Sequence, residues 1–306
     1  MNRRNFTGLA LAAGSSTVFA QNSRPASPKD ASNSAPSNVQ SSVAAIGKIG
    51  LALGAGSARG FSHIGVLKAL DEAGIKADVV TGTSAGSLVG IFYAAGYTPW
   101  QMEEVALKVR DIDVADISSA SKRGMLAGEA LQKLVNDYVK GVPIERLKLP
   151  YAAIATNLKT GEQVTIRQGD SGAAVRASCA IPGVFVPPTI GGVEVVDGGL
   201  VSPLPVKAAR MLGADFVIAV DVGSKPANNT QSGLYEVLLQ SFEIMGRSIT
   251  QLEAQTADFV IRPDTLRFAS TDFAARKDLI AAGYESGLRA VAELRSRFGT
   301  KLKRRS

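Results

Sequence analysis

Twice between Lys48 and Gly86 an apolar run breaks into a glycine-rich bend and resumes as a helical pattern. Lys48 to Leu53 leads into Gly54-Ala55-Gly56-Ser57-Ala58-Arg59-Gly60, after which Ile64, Leu67, Ala69 and Leu70 recur at helical spacing until Gly74. Ala77 to Val80 leads into Gly82-Thr83-Ser84-Ala85-Gly86 and a second helix through Tyr93, stopped by Gly96. Thr98-Pro99 caps a third, with proline at its first position. Alternation of this kind stacks parallel strands in one sheet with helices on its faces, so an α/β fold is expected. Further on, Tyr151 to Thr156 and Gln163 to Arg167 flank a turn at Asn157 to Gly161 and read as a hairpin. Val193 to Val196, Phe216 to Val222 and Phe259 to Ile261 read as strands, and Ser232 to Gln255 and Ala275 to Arg297 as helices. No internal repeat is visible.

The ends differ from this body. Arg3-Arg4, a weakly apolar Leu9 to Ala13, and small residues up to Ala20 resemble a Tat export signal over residues 1–20. An ordinary Sec signal carrying two arginines leads to the same destination, so an exported, periplasmic protein is expected. Residues 21–46 are rich in Ser, Asn, Pro, Ala and Gln and cannot bury enough surface to offset their ordering entropy, so they read as a disordered linker. The folded domain is then 47–306, which is long enough for one large core. The net charge is +7, yet Arg3, Arg4, Arg295, Arg297, Lys301, Lys303, Arg304 and Arg305 outweigh it. The body is therefore near neutral and the basicity sits at the ends, where a solvated tail is the plain reading. Nucleic acid is not an expected partner, because no aromatic residues interleave the tail's cations. No unbroken apolar run of about 18 residues occurs, the length a membrane span needs.

The chain has one cysteine, Cys179, and one histidine, His63. One cysteine cannot form an internal disulfide, and a zinc site of His and Cys would have at most two ligands; a carboxylate-rich metal site stays open with nothing pointing to it, and no cofactor is called for. The bend Gly82-x-Ser84-x-Gly86 fits a nucleophile elbow, in which a strained serine tops a strand-to-helix turn and flanking side chains would clash. The Gly54–Gly60 bend has three meanings. A dinucleotide site wants glycine where Arg59 stands and an acidic residue where the next strand ends in Thr81-Gly82. A phosphate-cradling P-loop wants Gly-Lys-Ser/Thr, which is absent. An oxyanion hole needs only free amides beside a helix N-terminus and fits, with a plain tight turn as its competitor. A serine also needs a base. His63 lies at the start of the helix after the loop, on the oxyanion side, and is read as a helix-start or supporting residue. That leaves Asp197, which follows a strand and precedes two glycines; a plain turn aspartate is the competing reading.

Four stretches together resemble the signature blocks of the patatin-like phospholipase family. They are Gly54-x-Gly56-x-x-Arg59-Gly60, Gly82-x-Ser84-x-Gly86, the segment Ala177 to Pro187, and Asp197-Gly198-Gly199; Thr160-Gly161-Glu162 is a further likeness. The resemblance implies a three-layer α/β/α sandwich with a mainly parallel central sheet. It also implies a serine lipid acyl hydrolase with a Ser–Asp dyad and no histidine. Carried over by position, Ser84 is the nucleophile and Asp197 the base. Gly54, Ala55, Gly56, Ser57, Ala58, Arg59 and Gly60 form the oxyanion loop, its backbone amides the donors. Ala55 and Ser57 replace glycines of the family's commoner loop, a mild departure if only amides bind. The Pro182–Pro187 segment is expected beside the site, holding Asp197 near Ser84. A lipid or acyl-ester substrate and peripheral membrane contact follow; a non-catalytic lipid-binding or regulatory protein of the same fold is the alternative. The oligomeric state is not legible.

Overall fold

The computed structural model describes residues 46–118, 121–223 and 233–299, with backbone alone at 234–236 and 239. The export signal, all but the end of the linker and the tail from residue 300 lie outside these residues. β1 (Ile49–Leu53) enters a 3-10 turn at Ser57–Gly60 and then α1 (Phe61–Glu72). β2 (Val79–Thr83), α2 (Ala85–Ala95) and α3 (Pro99–Lys108) follow, with Thr98 and Gln101 closing a capping box. Next come β3 (Gly124–Leu126), α4 (Glu129–Val139), β4 (Tyr151–Asn157) and β5 (Gln163–Ile166). α5 (Ser171–Ser178), β6 (Gly183–Phe185), β7 (Thr189–Ile190) and β8 (Val193–Asp197) precede α6 (Val206–Met211) and β9 (Phe216–Val220). α7 (Leu234–Ala254), β10 (Phe259–Ile261) and α8 (Arg276–Phe298) close the domain.

Strands β10, β9, β1, β2 and β4 lie side by side and parallel, as the alternating pattern requires. Side chains alternate between the two faces of the sheet, so β1, β2 and β9 each feed two cores. Leu51, Leu53, Ile218 and Val220 join one cluster with Ile64, Leu67, Ile91 and Ile280 of the helices on that face. Ala52, Val217 and Ala219 join a second with Val206, Ala209 and Ala254 on the other. This is the three-layer α/β/α sandwich expected. α1 and α8 approach at their backbones: a Cβ on Gly283 or Gly65 would overlap the facing helix.

The antiparallel margin of the sheet positions the chemistry. β4 pairs with β2 through Val80–Thr83 opposite Tyr151–Ile154, and with β8 through Ala155–Asn157 opposite Asp197–Val195. β5 runs along Ala153–Thr156, overlapping both. A strand has only two edges, so β2 and β8 share one, arriving from opposite directions and meeting between Ile154 and Ala155. Ser84 follows β2 immediately and Asp197 ends β8. The strand before Ser84 was expected to stop at Val80; it continues to Thr83, because this junction supplies β-partners up to Ile154. α4, α5 and α6 were not anticipated. α5 is eight residues of mostly small side chains, too short to show a helical stripe, though Asp170 caps it by accepting from the Ala173 amide.

Candidate active site

Ser84 is held at φ 54, ψ −125, a backbone that L-residues seldom adopt. The flanking glycines permit it: a Cβ on Gly82 would lie 2.5 Å from Ser87 Cα, and one on Gly86 2.7 Å from Gly54 O. Two hydroxyls fix the bend further. Ser178 Oγ accepts from the Ser84 amide at 2.9 Å and donates to Ile154 O at 2.6 Å. Thr83 Oγ1 donates to Ser202 O at 2.7 Å. Ser178 belongs to the Ala177–Pro187 block, but its role was not read from the sequence, since a serine among small residues carries no signal of its own.

Asp197 is buried, and its Oδ1 accepts from the Gly199 amide at 2.7 Å. Burial pushes its carboxyl up to about 6, against the pull of the Ser84 hydroxyl and the Gly199 amide. Ser84 and Asp197 line the same cavity, and among the described residues Asp197 Oδ2 has no hydrogen-bond partner. The Ala180 carbonyl accepts from the Asp197 amide at 2.8 Å, so the Ala177–Pro187 block does hold Asp197. Cys179 lies against the pair, and burial pushes its thiol up to about 12, which keeps it protonated and a poor nucleophile.

The Gly54–Gly60 loop divides into two groups of residues. Ala55, Gly56, Ser57 and Arg59 line a cavity of about 120 Å³ with Ser84 and Asp197. Gly54, Ala58 and Gly60 do not line it: Gly60 packs against Ala85, where a Cβ would meet the Ala85 methyl group. Four amides expected as oxyanion donors are otherwise engaged. Gly54 donates to Val220 O, Ala55 to Pro203 O, Ala58 to Ser270 O and Arg59 to Gly56 O. Of the loop residues that line the cavity, Gly56 and Ser57 have amides with no such partner among the described residues. Ser57 stands at φ 51, a left-handed conformation that favours glycine, so its departure from the glycine-rich pattern carries a backbone cost of about 1 kcal/mol.

His63 is fully buried beneath this loop, its Nε2 donating to Gly54 O at 2.8 Å. Burial holds the ring down to about 4, so it is neutral, and its proton is committed to a carbonyl. It supports the loop, as the sequence suggested. Residues beyond the loop complete the cavity. Ile181, Pro182, Leu200 and Phe242 give it an apolar wall, and α7 covers it with Glu243, Gly246, Arg247 and Thr250. Buried Arg59 pairs with Glu243 at 2.7 Å, tying the loop to that helix. No sequence pattern marked these α7 residues. Thr160-Gly161-Glu162 forms the exposed β4–β5 turn, away from the cavity.

A family model described as patatin-like phospholipase matches residues 51–210, just over half of the chain. The chain is 37% identical over 210 residues to the uncharacterized NTE family protein Rv1063c of Mycobacterium tuberculosis, covering 67% of this chain and 57% of that one. It is 38% identical over 186 residues to human patatin-like phospholipase domain-containing protein 6, covering 58% of this chain and 13% of that protein. Lysophospholipase NTE1 of Yarrowia lipolytica is 31% identical over 283 residues, 81% of this chain and 20% of its own. The chain thus spans little more than half of the mycobacterial relative and a small part of the other two. Among solved structures, the Pseudomonas aeruginosa complex of full-length ExoU with full-length SpcU superposes with a TM-score of 0.50 at 12% identity. That match covers 85% of this chain and 54% of the other, a likeness of fold alone.

Proposed function

The chain belongs to the patatin-like phospholipase family, and on that premise we propose that it is a serine lipid acyl hydrolase of phospholipase A or lysophospholipase type. Ser84 is the nucleophile, Asp197 the base, and no histidine takes part. The observation that carries this reading is the meeting of β2 and β8 on one edge of β4, which brings a strained serine beside a buried carboxyl with an unpartnered oxygen. Relatives whose names specify phospholipase and lysophospholipase favour lipid esters as the substrate class. The apolar wall of Ile181, Pro182, Leu200 and Phe242 suits an acyl chain.

In this mechanism an ester carbonyl enters between Ser84 and the glycine loop. Ser84 Oγ attacks the carbonyl carbon while Asp197 Oδ2 takes the hydroxyl proton. The oxyanion rests against the amides of Gly56 and Ser57, each such donor contributing about 3 kcal/mol to the transition state. Asp197 returns its proton to the leaving alcohol. It then takes a proton from the water that attacks the acyl-enzyme, and as the fatty acid leaves it hands that proton to Ser84 Oγ, restoring the free serine. A carboxylate is a weaker base than imidazole; burial narrows that gap by raising Asp197 to about 6. The twin-arginine leader supports an exported, periplasmic location, checked by cell fractionation with and without Arg3 and Arg4.

The test is release of fatty acid from phospholipid, lysophospholipid and p-nitrophenyl esters by the purified protein, with Ser84→Ala as control. A fluorophosphonate probe should label the wild-type protein and not the variant. A protein that binds lipid vesicles yet neither labels nor turns over would instead be the non-catalytic binder.

A further inference from the structure

Glu253 is a carboxylate where local rules disfavour one. It sits in the last turn of α7, where the helix dipole opposes negative charge, and burial pushes its carboxyl up to about 7. A residue that breaks two local preferences is held by something else in the fold. Both its oxygens are engaged: Oε1 accepts from Ser202 Oγ, and Oε2 accepts from the Leu204 amide at 2.7 Å.

The short segment it grips is hydrogen-bonded beside each of the three parts of the candidate site. The Ser202 amide donates to Gly198 O at 2.9 Å, next to Asp197. Ser202 O accepts from Thr83 Oγ1 at 2.7 Å, next to Ser84. Pro203 O accepts from the Ala55 amide at 2.8 Å, next to Gly56. Base, nucleophile and glycine loop are therefore cross-tied through Ser202–Leu204, which Glu253 anchors from the opposite side. Glu253 is not among the residues that line the cavity, and it lies beyond the 51–210 stretch shared with the family.

We propose that Glu253 is a positioning residue: by fixing Ser202–Leu204 it sets Ser84, Asp197 and the Gly56–Ser57 amides in register. The proposal rests on the hydrolase reading above. Glu253→Ala leaves two donors without acceptors and lets that register slip, and a misplacement of about 1 Å costs on the order of a hundredfold in rate. Glu253→Gln keeps both contacts, its oxygen accepting from the Leu204 amide and its NH2 donating to Ser202 Oγ.

The experiment measures kcat, KM and the rate of fluorophosphonate labelling for both variants in the full protein, with melting curves alongside. Glu253→Ala is expected to lower kcat and labelling in parallel by about 10- to 100-fold with KM within about threefold, and Glu253→Gln to stay within about threefold of wild type. Wild-type kcat in Glu253→Ala, or a change confined to KM, overturns the proposal. So does a Gln variant as slow as the Ala variant. Should Glu253→Ala fail to fold, Ser202→Ala removes only the hydroxyl contact. It should lower kcat by about 3- to 10-fold at unchanged KM, and full activity there overturns the proposal equally. A wild-type protein that neither labels nor cleaves any ester fails the hydrolase reading itself. An active wild type with an equally active Glu253→Ala fails only the role of Glu253.

Discussion

The two glycine-rich bends look alike in sequence and present different groups. In the Gly82–Gly86 elbow the glycines serve a side chain: they clear room on both flanks so that Ser84 can be strained and its hydroxyl presented. In the Gly54–Gly60 loop the product is backbone. Three of its amides are taken by carbonyls of the surrounding fold and a fourth by Gly56 O within the loop, while Gly56 and Ser57, whose amides have no such partner among the described residues, line the cavity. Both bends need their glycines for room, since a Cβ on Gly56 or Gly60 would overlap Val222 or Ala85; they differ in what they present, a strained side chain in the elbow and hydrogen-bonded backbone in the loop. The elbow glycines should tolerate no added atoms, whereas the loop already carries side chains at Ala55 and Ser57, both of which line the cavity.

Perturbing each bend in turn tests that contrast. The largest effect belongs to the hydroxyl itself: Ser84→Ala should lower kcat by at least about 10⁴-fold without loss of melting temperature. Next comes its partner. Asp197→Asn should lower kcat by about a thousandfold or more, and full activity would remove the carboxylate from the mechanism. In the proposed mechanism only ionised Asp197 accepts the serine proton, so kcat/KM should rise with pH and level off above about 6. The stability consequence runs the other way. The folded pKa lies above the unfolded one, so folding holds the proton more tightly and Asp197 destabilises the protein increasingly as pH rises from about 4 to 6. Asp197→Asn should therefore be more stable than wild type at pH 8, by on the order of 1–3 kcal/mol, and no more stable at pH 3.5. Denaturant midpoints at the two pH values check this.

Smaller effects separate the bends from each other. Gly86→Ala drives a methyl group into the backbone carbonyls of Leu53 and Gly54 and should cost about 3 kcal/mol or more. His63→Ala removes the prop beneath the loop. It should lose about 2 kcal/mol of stability yet keep kcat within about thirtyfold, and a thousandfold loss with folding intact would make histidine the base. Ser57→Gly relieves the left-handed backbone of the loop and should gain about 0.5–1 kcal/mol with activity little changed. A loss of activity in that variant would mean that the serine side chain contributes to the loop.

Much of this was legible in the residues. The alternation of apolar runs and bends specified parallel strands with helices on both faces, because period-two and period-3.6 patterns cannot exchange roles. A lone histidine at the head of α1 already pointed away from imidazole chemistry. Other parts were not legible. Ser178, Ser202 and Glu253 are ordinary polar residues in sequence, and they matter only because distant segments converge on them. The choice of free amides in the loop could not be read either, since Val220, Pro203 and Ser270 must first arrive to occupy the others.

The sequence by itself determined the elements, the two bends and the chemical kinds of group at their tips, because strand and helix periodicity and glycine's missing Cβ are local properties. Only the tertiary structure decided that Ser84 and Asp197 meet. Their closeness depends on β2 and β8 sharing one edge of β4 from opposite ends. It decided the acidity of Asp197 as well, since desolvation depends on what surrounds a group, and those surroundings come from segments far apart in the chain.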